Sequence, residues 1–263
     1  MNGVQFQLDM HQLAVTAALA VRFGVLAATL PLLDVRSVPF LWRFALAVSF
    51  AAALAPGIAA GLPAADVSLA WPALVMEALR SLIIGALLGF TVNLVFTAVR
   101  YAGAIAGMQI GFAIVNSFDP MSNSQISVIS QMYYLLAVLL FFVTGAHQIL
   151  VAAMYQSCLA VPPFTPGDPT GGAWYLLREF GTVFVMGLKI AAPVVLVLLL
   201  VSASFGVIVK TVPQLNVLVV GFPIKIGVGL ITVGLSLVFF RQVAVGAMGG
   251  LQNQLAELLL AMK

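Results

Sequence analysis

Charge is what this chain has least of. Only 7% of its 263 residues are Asp, Glu, Lys or Arg, and residues 120–167 contain none of them. Ordinary soluble domains carry roughly a quarter charged residues. A globule of this size has no means of hiding a composition that is 63% hydrophobic. A soluble protein is thereby excluded, and the class is an integral membrane protein.

Other scarcities exclude chemistries. The single cysteine, Cys158, has no partner for an internal disulfide. Two histidines, His11 and His147, lie far apart, so no His/Cys set has metal-ligand spacing. No G-x-x-x-x-G-K-[ST] phosphate loop occurs, and the serines stand without a neighbouring base. The chain therefore reads as non-enzymatic, with no cofactor and no metal. The net charge is +3, but the bases are scattered rather than clustered. That pattern fits orientation in a membrane and not nucleic-acid binding. The opening "MNGVQFQLDMH" lacks Lys and Arg and contains Asp9, unlike a cleavable signal. The first apolar run is expected to stay in the mature protein.

What is present is long apolar runs. A span needs about 20 such residues. The runs fall at 12–33, 40–62, 71–99, 126–160, 173–209 and 213–240, with a further stretch at 101–118 and an amphipathic tail at 241–263. They are too long and continuous for barrel strands, so the spans are helices. Pro193 and Pro223 lie inside runs and predict bends. Short proline-marked connections lie at 34–39, 63–72 and 161–172. If 101–118 does not cross, Arg36, Arg43, Arg100 and Lys210 share one side and Asp66 and Asp168 the other. The positive-inside rule makes the basic side cytoplasmic and puts both termini outside. Arg241 does not fit this scheme.

Among the charges inside apolar runs, four stand out as candidates. Glu77 and Arg80 share a helix face at i, i+3 and neutralise each other. Lys189 and Lys225 have no acid nearby in sequence, and such residues face protein or a watery cavity. They are read as inter-helix or inter-subunit partners or as snorkelling lysines. A secondary transporter using Glu77, Arg80 and Lys189 is the alternative, although the paired internal repeats that such proteins often carry are not visible.

Glycine spacing adds a second signal. Gly85/Gly89, Gly103/Gly107/Gly111 and Gly246/Gly250 form G-x-x-x-G stripes, which let helices approach closely in membranes. The middle stripe runs into "MQIGFAIVNSFDP" (108–120), whose polar end breaks the helix. An irregular break at membrane depth is tolerated only within protein or along an aqueous path.

Three segments resemble the FliR family of flagellar type III export-gate proteins. They are "RSVP" (36–39), "GAIAGMQIGFAIVNSFDP" (103–120) with Gln109, Gly111, Asp119 and Pro120 in matching places, and "VPQLNVLVVGFPIKIGVG" (212–229). The last carries P-Q-x-N-x-x-x-x-G-F-P through Pro213, Gln214, Asn216, Gly221, Phe222 and Pro223. Their order and spacing extend the resemblance over nearly the whole chain. Ala146 stands where the family pattern leads one to expect Gly directly before the histidine, which weakens any special role for His147.

The resemblance implies an all-α membrane protein of long kinked helices and helical hairpins, like a fusion of the P-type and Q-type gate subunits. It forms one integral membrane export-gate domain, with 1–172 P-like and 173–263 the Q-like hairpin part. The implied partners are P-type and Q-type subunits in a helical hetero-oligomer, the B-type substrate-switch subunit, the A-type export subunit and unfolded proteins in transit, with no nucleic acid. The implied place is the bacterial inner membrane, in the flagellar basal body. Residues 106–122 match a plug in the closed channel. Within it Met108, Gln109, Ile110, Gly111, Phe112, Ala113, Ile114 and Val115 are assigned the seal, by dewetting. Asn116, Ser117, Phe118, Asp119 and Pro120 are assigned the turn. Gly103, Gly107, Pro213, Gln214, Asn216, Gly221, Phe222 and Pro223 are assigned to subunit packing.

Overall fold

The computed structural model describes residues 10–30, 39–62, 69–111, 127–165, 169–212 and 217–262. Among these residues there are seven helices and no strand. They are α1 (Met10–Thr29), α2 (Phe40–Ala60), α3 (Trp71–Ile110), α4 (Val128–Val143), α5 (Ala146–Ala160), α6 (Pro169–Thr211) and α7 (Val217–Ala261). Five are long and apolar enough to cross a membrane, and α4 with α5 passes together as a broken sixth. The chain is an all-α membrane protein.

Three boundaries differ from the sequence expectation, each for a local reason. The run at 71–99 continues through 101–110 as one helix, α3, because Arg100 leaves the helix sideways: its guanidinium sits 4.0 Å from the Tyr134 ring centroid. The run at 126–160 is instead split. Thr144 and Gly145 close α4 by donating their N–H groups to Leu140 O and Phe142 O, and Gly145 takes φ 74°, where a side chain would be strained. The tail at 241–263 continues α7, because Leu251, Leu255, Leu258 and Met262 repeat at helical spacing and are buried. Pro193 and Pro223 lie inside α6 and α7.

The chain forms two compact units. The first holds residues 1–93, 146–179 and 250–263. Here α1 packs on α2 through Gly24 and Ala47, which a Cβ on the glycine would meet at 4.0 Å, beside the buried alanines 51 and 55. On another face α1 meets α3. A Cβ at Gly85 would strike Arg22 O and one at Gly89 would strike Thr29 Oγ1, so the Gly85/Gly89 stripe is filled by α1 itself. Asn93 Nδ2 then donates to Thr29 O at the end of α1, at 3.4 Å.

The second unit holds residues 94–145 and 180–249. Its core packs Phe96 of α3 against Phe141 of α4 at a tilt, with centroids 5.6 Å apart, and stacks Tyr133 of α4 on Phe240 of α7, at 4.9 Å. Val194 and Leu198 of α6 and Ala244 and Met248 of α7 are buried at i, i+4 spacing. The elements α6 and α7 run for 43 and 45 residues, about twice the length that one hydrocarbon core needs.

Candidate functional site

Two arrangements concentrate polar or special-backbone residues. The first lies in the first unit and is built around Glu77 of α3. Arg22, in the middle of α1, is fully buried, and Glu77 is 4% exposed. Arg22 Nη1 donates to Ser157 O and Val161 O, both at 3.0 Å. Both carbonyls lie at the end of α5, where a cation is favoured, and Ser157 O also accepts the Val161 N–H. Arg22 Nη2 lies 4.0 Å from Glu77 Oε1. Glu77 Oε1 also accepts from Ser81 Oγ at 3.0 Å, and Oε2 accepts from Phe164 N–H at 2.9 Å. Arg80 Nη1 sits 3.5 Å from Glu77 Oε2 and donates to Pro162 O at 3.4 Å.

The expected Glu77–Arg80 pair is thus one edge of a larger cluster. Arg22, which the sequence reading missed, completes it. Its signal was a lone arginine within the apolar "AVRFGV". The cluster's work is mechanical: three charged side chains hold the backbone of residues 157–164 against α1 and α3. Phe164 sits there with φ 63°, uncommon for a bulky residue, with its N–H held by the carboxylate. Lys189, the third member of the transporter alternative, belongs to the second unit and is exposed on α6.

The second arrangement is the end of α3 in the second unit. Cβ atoms at Gly103 and Gly107 would strike Ser130 and Ser127 at the start of α4. Ser130 Oγ donates to Arg100 O at 2.8 Å, which locks the close approach. Both glycines are therefore occupied within the chain by α4. Gly111 ends α3 with φ 105°, its N–H directed to Met108 O and Gly107 O, and a Cβ there would touch Phe222 of α7 at 3.5 Å. Ile110 is fully buried, and Gly229 of α7 has no room for a Cβ beside it. Gln109 is half-buried and Met108 is 60% exposed.

The remaining plug assignments, Phe112 through Pro120, lie outside the described residues, as do Pro213, Gln214 and Asn216. Gly221 is buried, Phe222 half-buried and Pro223 exposed. Lys225 is half-buried and lines a cavity of about 290 Å³ with Ser202, Phe205 and Phe222. Among the described residues no group of three or more His, Cys, Asp or Glu is placed to hold a metal ion.

Spanning helices, buried ion pairs spent on backbone, and glycine-tight helix crossings define a multi-pass membrane protein. Residues 13–251 match the family described as bacterial export proteins, family 1. The chain is 33% identical over 211 residues to the flagellar biosynthetic protein FliR of Escherichia coli K12, covering 80% of this chain and 78% of that one. It is 32% identical over 217 residues to FliR of Bacillus subtilis, covering 80% and 81%. It is 33% identical over 159 residues to FliR of Pectobacterium carotovorum, covering 60% and 61%. The chain belongs to this family of bacterial export proteins.

Proposed function

We propose that the chain is a structural subunit of the flagellar type III protein-export gate, in the bacterial inner membrane at the flagellar basal body. The observation that carries this reading is the family match over residues 13–251, joined by relatives named as flagellar biosynthetic proteins. On this reading 1–172 corresponds to the P-type and 173–263 to the Q-type subunit. The chain takes one place in a helical assembly of such subunits, beside the B-type and A-type components, and unfolded proteins pass through the channel.

Residues 108–120 plug that channel. The support is the end of α3. Gly111 in the left-handed region ends α3 within the seal segment, after Met108, Gln109 and Ile110, and Phe222 backs it. Pro213, Gln214, Asn216, Gly221, Phe222 and Pro223 shape the start of α7 for packing against neighbouring subunits, and Gly103 and Gly107 serve that packing by fixing α4 on α3.

Two experiments test this. Met108→Ser, Ile110→Ser and Phe112→Ser, made singly and in pairs, are expected to raise ion leak in resting cells, because polar groups lower the cost of wetting a constriction. Unchanged conductance in all of them removes the plug. The chain co-expressed with its genomic neighbours and released from detergent for native mass spectrometry is expected as a single copy in a hetero-oligomer. A stable monomer or homodimer that never takes up those neighbours overturns the gate reading.

A further inference from the structure

The second unit is lopsided in charge. Its sequence supplies five bases, Arg100, Lys189, Lys210, Lys225 and Arg241, and one acid, Asp119, which lies outside the described residues. Three of the bases are at one level, joined by direct contacts. Arg100 of α3 lies over the Tyr134 ring of α4. The adjoining Tyr101 packs edge-on against Phe184 of α6, with centroids 5.5 Å apart, and meets Gly187, two residues before Lys189. Tyr133, beside Tyr134, stacks on Phe240, and Arg241 follows. Arg100, Lys189 and Arg241 are all exposed.

This level lies far from the end of α6. Residues 190–209 carry no charge and end at Lys210. Twenty helical residues span about 30 Å, the thickness of a hydrocarbon core. Leu196, Leu200 and Val207 point outward along that length, at 61%, 69% and 65% exposure. The level of Arg100 is about 30 Å from Lys210 along α6. Exposed cations at the edge of an apolar slab, with the partly exposed Tyr101 beside them, mark a membrane–water boundary, while Tyr133 and Tyr134 are buried behind them.

We propose that Arg100, Lys189 and Arg241 bind the headgroup phosphates of an anionic phospholipid layer, so that the bilayer surface meets this unit midway along α3, α6 and α7. Charge complementarity selects the occupant: the unit carries five bases to one acid, and the adjoining apolar slab suits acyl chains.

Depth quenching tests the proposal. The full chain, as Cys158→Ala, receives a single labelled cysteine at Leu188 or at Leu200. It is placed in nanodiscs of phosphatidylcholine and phosphatidylglycerol bearing nitroxide at the headgroup or at mid-chain. Headgroup nitroxide is expected to quench the label at 188 more strongly than that at 200, and mid-chain nitroxide the reverse. A label at 188 as deep as that at 200 overturns the proposal. So does one that no lipid quenches, which points to an acidic protein face in place of lipid.

In native mass spectra, Arg100→Gln/Lys189→Gln/Arg241→Gln is expected to retain phosphatidylglycerol roughly tenfold less than wild type. Arg178→Gln, an exposed cation of the first unit, is not. No loss in the triple variant, or an equal loss in Arg178→Gln, also overturns the proposal. If the triple variant does not fold, the quenching pattern decides.

Discussion

Glu77→Gln is expected to lower the thermal midpoint of the detergent-solubilised chain by roughly 10 °C. The substitution keeps the shape and one of the two acceptor oxygens. The side-chain carbonyl still receives either Ser81 Oγ or the Phe164 N–H, which the carboxylate accepts at 3.0 and 2.9 Å. What it removes is the charge that balances Arg22 and Arg80, whose guanidinium groups lie 4.0 and 3.5 Å away. Removing one partner of a buried ion pair typically costs about 3–5 kcal/mol, because the survivors are left charged and desolvated. Glu77→Ala loses the hydrogen bonds as well and is expected to fall further. If the glutamine variant melts with the wild type, the charge contributes nothing and only hydrogen bonding holds the 157–164 backbone.

The second large effect is steric. Gly103→Ala is expected to cost about 1–3 kcal/mol, read as a lower midpoint and faster proteolysis between α3 and α4. The added methyl would meet Ser130 Cα, with Ser130 N at 2.8 Å and Ile129 O at 3.0 Å. These are backbone atoms, so relief requires moving the helix. Gly246→Ala is the contrast. A Cβ there finds nothing within 4 Å, and the exchange gains up to about 1 kcal/mol of helix propensity. Both glycines belong to identical spacing patterns, so equal outcomes would mean that the close approach of α4 to Gly103 does not exist in solution.

That contrast marks how far the sequence could be read. Membrane class, helical spans and glycine stripes follow from composition and spacing, because lipid leaves few alternatives. Spacing alone does not tell a filled stripe from an open one: Gly85 and Gly89 are filled by α1 and Gly103 and Gly107 by α4, while Gly246 and Gly250 stand open. The Glu77–Arg80 pair was legible because helical neighbours three apart face each other. Arg22 was not, since its hydrogen-bond acceptors lie 135 and 139 residues away. Helix ends misled in both directions: the charge at Arg100 leaves α3 unbroken, and the glycine at Gly145 ends α4 within a continuous apolar run.

The clamp in the first unit has a consequence for how such a chain can evolve. Ser157, Val161, Pro162 and Phe164 are all gripped through their peptide groups and not their side chains. Any residue supplies such a carbonyl, and any but proline supplies the N–H. Selection on this contact therefore falls on Arg22, Glu77 and Arg80 alone, while the gripped positions drift without compensating changes elsewhere. Pairwise covariation between the two sides is therefore expected to carry no trace of this attachment.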